Sequence, residues 1–142
     1  LWTEDEVSFK GKYYRAKAAV LEPKPVQKPY PQLLFGGSGD RMLKLAGKYA
    51  DICYIPQFRN ESYEEEKEKV LRAADRENRS DKIAFMAGSL SSEASYRSKE
   101  YLRKVEATKE KGVSYFLTSF PRNEEIIASI GRFAKEVIPS FK

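Results

Sequence analysis

The stretch LLFGGSGDRMLKLAG, residues 33 to 47, passes from an apolar run through three glycines into a helical pattern. Met42, Leu43, Leu45, Ala46 and Tyr49 recur at helical spacing, which predicts a helix over 40–49. The apolar residues before the glycines predict a short strand. Strand, glycine turn and helix make one βα unit, and whether that unit repeats decides the fold.

It repeats three times downstream. ADICYIP (50–56) reads as the next strand, closed by Pro56. Asn60 and Ser62 are candidate caps of a helix reaching about Asn78, since SYEE fits the capping-box pattern. KIAFMAGSL (82–90) reads as a third strand and Ser92 to Lys111 as a third helix, with Tyr101, Leu102 and Val105 facing inward and Gly112 just past its end. VSYFLTSFP (113–121) is a fourth strand. Asn123 is the expected cap of a last helix, whose Ile126, Ile130, Phe133 and Val137 fall on one stripe that ends before Pro139. The strands are apolar almost throughout, as expected when both faces of a parallel sheet are covered. Upstream, VSF and YYRA flank a glycine-containing turn within residues 1–19 and predict a hairpin. EPKPVQKPYP (22–31) holds four prolines and reads as a stiff connector.

The fold class is therefore α/β with a parallel sheet. Two completions remain open: a doubly wound sheet of a few strands, or half of a (β/α)₈ barrel, which needs about 250 residues. At roughly 100–200 residues per domain, the 142 residues suggest one segment, with 1–31 as hairpin and connector and 32–142 as four βα units. The start, Leu-Trp-Thr, reads as internal to a longer chain. No apolar run approaches the roughly 18 residues of a membrane span. Cys53 is alone and histidine is absent, so neither a disulfide framework nor a metal site is expected, and a reducing cytoplasm is the default location. The net charge of +5 comes from bases interleaved with acids, as in SYEEEKEKVLRAADRENR (62–79), where Glu65 and Lys69 stand at i,i+4. That is a solvated, ion-paired face and not a nucleic-acid surface.

Gly36, Gly37 and Gly39 sit where the first N–H groups of a helix lack internal partners and its dipole favours an anion. Met42 stands where the dinucleotide G-x-G-x-x-G fingerprint needs glycine, and no P-loop pattern is present. From these residues alone the turn is either a phosphate site or a tight connection.

The succession FKGKYYRA, PKPVQKPYP, QLLFGGSGDRMLKLAGKYAD, VSYFLTSFP and RFAKEVIPSFK resembles the C-terminal half of the luciferase-like flavin- or deazaflavin-dependent oxidoreductases. That family includes bacterial luciferase, alkanesulfonate monooxygenase and methylenetetrahydromethanopterin reductase. The resemblance implies a TIM barrel, with strands five to eight in this chain. It implies FMN or coenzyme F-420 as cofactor and either hydride transfer or monooxygenation as the reaction. It also implies that the turn after the fifth strand receives the cofactor phosphate, which makes Gly36, Gly37, Ser38, Gly39 and Arg41 the cofactor-binding residues. Asp40 suits the helix dipole but repels a phosphate, and Arg41 is expected to offset it. The chain departs from the family in carrying Ile52 after Asp51, where glycine is usual, and in lacking histidine.

In a barrel the reactive face lies at the C-terminal strand ends, which adds Tyr54, Pro56, Gln57, Gly88, Ser89, Thr118 and Ser119 as candidates. Tyr54 reads as a core aromatic with a wet hydroxyl, and Ser89, Thr118 and Ser119 as ordinary loop partners. Asp51, at the opposite strand end, reads as a structural ion pair or cap, and Cys53 as a small hydrophobe. No catalytic residue is assigned, since no nucleophile is paired with a base; a cofactor that carries the chemistry needs none. Expected partners are the cofactor and a small-molecule substrate, with no nucleic acid and no membrane. Strands 33–37 and 113–120 would be left with unpaired edges, so a homo-oligomer or pairing with an N-terminal half-barrel is expected. The alternative is a non-catalytic half-barrel that self-associates and binds a phosphorylated ligand or a protein partner.

Overall fold

Apolar runs bounded by glycine and proline form the strands, and amphipathic runs between them form the helices. A computed structural model describes residues 1–56, 63–88, 97–120 and 122–141. Within them lie β1 (Val7–Lys10), β2 (Arg15–Ala19), β3 (Leu34–Gly36), α1 (Asp40–Tyr49), β4 (Ile52–Tyr54), α2 (Tyr63–Asp75), β5 (Ala84–Gly88), α3 (Ser98–Glu110), β6 (Tyr115–Leu117) and α4 (Ile126–Glu136). Gln57, Asn60, Ser62 and Ser89 lie outside the described residues.

The chain divides into two compact units, Leu1–Gln32 and Leu33–Lys142. In the first, β1 and β2 pair antiparallel, with Phe9 opposite Ala16 and Lys10 opposite Arg15. The Gly11 N–H donates to the Tyr14 carbonyl at 2.9 Å and closes the turn. The prolines between 22 and 31 form neither helix nor strand.

In the second unit the sheet order is β3-β4-β5-β6, and each strand runs parallel to its neighbour. A doubly wound sheet reverses its order to cover both faces. Sequential right-handed crossovers without reversal place every helix on one face, which is barrel winding. The register agrees. Phe35, Cys53 and Phe85 align across three strands and pack with Leu43 and Ala46 of α1 and Val70 of α2. The neighbouring row, Gly36, Tyr54, Met86 and Tyr115, points to the other face.

Two clusters form the core. The larger joins α1, α2, β4 and β5 through Leu43, Ala46, Cys53, Ile55, Val70, Phe85 and their neighbours. Gly47 lies at the α1–α2 crossing, where a Cβ would stand 2.4 Å from the Val70 carbonyl oxygen, so only glycine lets the two helices approach this closely. The smaller cluster joins α3 and α4 through Tyr101 and Val137, with Leu102, Phe120, Phe133 and Phe141 packed against them. Phe133 presents its edge to Tyr101 at 6.0 Å and to Phe120 at 5.4 Å.

Several boundaries move from their expected places. α2 stops at Asp75, before a turn in which Asn78 takes a positive φ of 53° and Arg79 donates its N–H to the Ala74 carbonyl. Asn123 does not cap the last helix directly. Its Oδ1 accepts the Glu125 N–H at 3.0 Å, and α4 begins at Ile126. On α4 the buried position is Ser129, whereas Ile130 is 43% exposed, because Ser129, Phe133 and Val137 share the face turned toward α3. Gly112, with φ of 72°, ends α3 as expected. No helix among the described residues is long and apolar enough to cross a membrane.

Candidate functional site

The ladder between β3 and β4 continues one residue beyond Gly36, where the Gly37 N–H donates to the Tyr54 carbonyl at 3.3 Å. Gly37 has φ of 150°, and a Cβ there would meet Met42 Cγ at 2.9 Å, so backbone and packing both require glycine. Gly39 is the N-cap of α1 in ordinary extended geometry, φ −76° and ψ 142°. Its carbonyl accepts the N–H groups of Met42 (2.8 Å) and Leu43 (3.0 Å). The N–H groups of Asp40 and Arg41 precede these bonds, at the end of the helix where donors lack internal acceptors. A Cβ on Gly39 would meet nothing within 4 Å, so the space beside the helix start is open. Free donors, a positive dipole end and open space fit a phosphate monoester.

Asp40 introduces a negative charge here, and the structure answers it from an unexpected place. Lys69 on α2 donates from Nζ to Asp40 Oδ1 at 2.9 Å. That hydrogen bond and the Lys69 charge, with a smaller contribution from Lys44, hold the Asp40 carboxyl below its usual range. Arg41 is exposed on the first turn of α1. Lys69 stands 29 positions from Asp40, and no local sequence signal couples the two.

The remaining strand-end residues hold one another. The Tyr54 hydroxyl donates to the Gly88 carbonyl at 3.3 Å, tying β4 to β5, and burial pushes the phenol pKa up. Gly88, with φ of 121°, lies where a Cβ would fall 2.0 Å from the Leu117 carbonyl oxygen. Pro56 is buried, and Thr118 and Ser119 are half-buried. The Ser119 carbonyl accepts the Tyr101 hydroxyl at 3.0 Å, which is a loop partnership.

The sequence of luciferase-like monooxygenases matches residues 1–130. The chain belongs to this family. An FMNH2-dependent dimethylsulfone monooxygenase from Pseudomonas putida is 39% identical over 51 residues, which are 36% of this chain and 14% of that enzyme. Among solved structures, an F-420-dependent secondary alcohol dehydrogenase in complex with an F-420–acetone adduct superposes with a TM-score of 0.76 at 21% identity, over 100% of this chain. A coenzyme F-420-dependent tetrahydromethanopterin reductase from Methanopyrus kandleri gives 0.80 at 18% identity, over 99% of this chain. The chain spans 58% and 60% of those two structures. The fold is thus part of a luciferase-like TIM barrel; the Pseudomonas putida relative depends on FMNH2, and the two solved structures depend on coenzyme F-420.

In this luciferase-like chain the glycine turn, Tyr54, Gly88 and Ser119 all lie at the C-terminal strand ends, the reactive side of a barrel. Asp51 lies at the other end and is structural. Its Oδ2 accepts the Leu33 N–H at 2.8 Å, its Oδ1 stands 3.6 Å from Arg79, and Arg79 also donates to the Gly47 carbonyl at 3.1 Å. Cys53 is buried, and desolvation, aided by the charge of Glu66, pushes its thiol up to about 12. A thiol that stays protonated at neutral pH is no nucleophile.

Proposed function

We propose that this chain supplies the phosphate grip of a flavin- or coenzyme F-420-dependent oxidoreductase, formed by Gly36, Gly37, Ser38, Gly39 and Arg41. The observation that carries the reading is the open N-terminus of α1, capped by a glycine whose missing side chain leaves unfilled space. The bound cofactor supplies hydride transfer or, as reduced FMN, oxygen-dependent monooxygenation. The protein's part is to anchor the phosphate and orient the ring system toward a small-molecule substrate. The enzyme works in a reducing cytoplasm.

Titration with FMN and with coenzyme F-420, followed by absorbance and fluorescence, tests the grip. Gly39→Val is the informative variant, because φ −76° and ψ 142° suit valine and the added atoms meet nothing in the protein. The expected result is tight binding that Gly39→Val abolishes at unchanged folding stability. Undiminished affinity in the variant overturns the assignment.

The sheet edges favour a second reading. β3 and β6 are the outer strands, and Leu34 and Tyr115 on them are 50% and 41% exposed. A half-barrel with such edges self-associates or pairs with an N-terminal half-barrel. Sedimentation showing a cofactor-free closed dimer would favour a binding module over an enzyme segment.

A further inference from the structure

α1 and α2 border a groove of about 250 Å³ that starts at Asp40, the residue directly after the glycine turn. Lys44, Lys69, Arg72, Ala73 and Arg76 complete its lining. Lys69, Arg72 and Arg76 follow one stripe of α2 at i, i+3 and i+7, facing Asp40 and Lys44 at i and i+4 on α1. Four cations thus share the groove with one carboxylate. Lys69 is matched by Asp40 at 2.9 Å and Arg72 by Glu68 at 3.4 Å. Lys44 and Arg76 make no salt bridge with the described residues, so the groove keeps a positive excess along its length.

A ligand anchored by its phosphate at the turn, and continuing as a flexible chain of carboxylates, meets this charge as it leaves the helix N-terminus. FMN ends at its phosphate and has nothing to place there. A deazaflavin of the F-420 type carries γ-linked glutamates beyond its phosphate. We infer that the α1–α2 groove holds this oligo-γ-glutamyl tail, with Lys44 and Arg76 as its principal cations. The inference rests on the phosphate grip proposed above and selects the deazaflavin among its two cofactors. Exposed ion pairs are individually weak and screened by salt, so the tail adds affinity at low ionic strength and little at high.

The test compares fluorescence titrations with coenzyme F-420 bearing several glutamates and with the same cofactor lacking them, in low salt. The expected result is about tenfold tighter binding of the tailed form, as two or three surface charge pairs would give. Lys44→Glu/Arg76→Glu removes that difference and leaves the tail-less affinity unchanged. Lys99→Glu/Lys135→Glu, which makes the same change of net charge on α3 and α4, preserves it. Equal affinity of the two forms in the unaltered chain overturns the inference, as does a tail effect that survives Lys44→Glu/Arg76→Glu. Gly39→Val separates the two proposals, since it weakens both forms alike. If neither form binds, the phosphate grip fails. A dye-labelled tetra-γ-glutamate peptide then decides the groove alone: binding lost in Lys44→Glu/Arg76→Glu upholds it, and absence of binding overturns it.

Discussion

Gly47→Ala and Gly131→Ala make the same chemical change in two helices, and the structure assigns them opposite signs. At Gly47 the new methyl would stand 2.4 Å from the Val70 carbonyl oxygen, 2.7 Å from Ala73 Cβ and 2.9 Å from the Ala74 nitrogen. Two of these are backbone atoms, so relief requires α1 to move away from α2 by about 1 Å, and overpacking of this kind costs about 1–3 kcal/mol. The better helix propensity of alanine offsets about 0.5–1 kcal/mol of that, for a net loss of about 1 kcal/mol at the middle of both ranges. Gly131 lies inside α4, and a Cβ there meets nothing within 4 Å. Only the propensity gain remains, so Gly131→Ala should stabilise by about 0.5–1 kcal/mol. Urea unfolding followed by circular dichroism reads both, with shifted midpoints and unchanged slopes. A Gly47→Ala chain as stable as the parent, or one displaced in the same direction as Gly131→Ala, refutes the close helix crossing. Because α1 begins at the glycine turn, the phosphate grip proposed above predicts weaker cofactor binding in Gly47→Ala as well.

Asp51→Ala removes the acceptor for the Leu33 N–H and the partner of Arg79, and should cost about 1.5–3 kcal/mol in urea unfolding, the range for hydrogen bonds to charged groups. Asp51→Asn should cost less, since it keeps an acceptor while losing the charge; equal losses would place the stabilisation in the ion pair. Cys53, buried and with its thiol pushed up to about 12, should resist a thiol-specific reagent at pH 8 in the native chain and react fully in urea. Rapid labelling of the native chain would contradict its place in the core.

The parallel βα arrangement was readable because alternating apolar runs and amphipathic helices carry their own periods, and α1 begins and ends where that spacing placed it. Asp51 was readable as structural because a charged side chain at the start of an apolar strand has few other uses. Strand order was not readable. Local patterns fit open and closed windings equally, and it took the unreversed order β3-β4-β5-β6 to choose. α4 misled because Ile126, Ile127 and Ile130 make more than one of its faces apolar, and only contact with α3 decides that the small Ser129 turns inward. The Asp40–Lys69 pair was invisible for a related reason. It depends on two helices lying side by side, and sequence distance says nothing of that.

The division of the core into two clusters gives the second unit two tempos. Among the described residues the larger cluster binds α1, α2, β4 and β5 through ten buried residues, whereas the smaller holds α3 and α4 through two and the rings around them. Opening free energies follow buried apolar contact, so α3 and α4 are expected to open before the larger cluster does. Amide protons there should exchange with solvent earlier than those of β4 and β5, which hydrogen-exchange measurement would check. The glycine turn stands on the slow side of this division, braced by Met42 and the β4 ladder. Its geometry should therefore outlast the fluctuations of its neighbours.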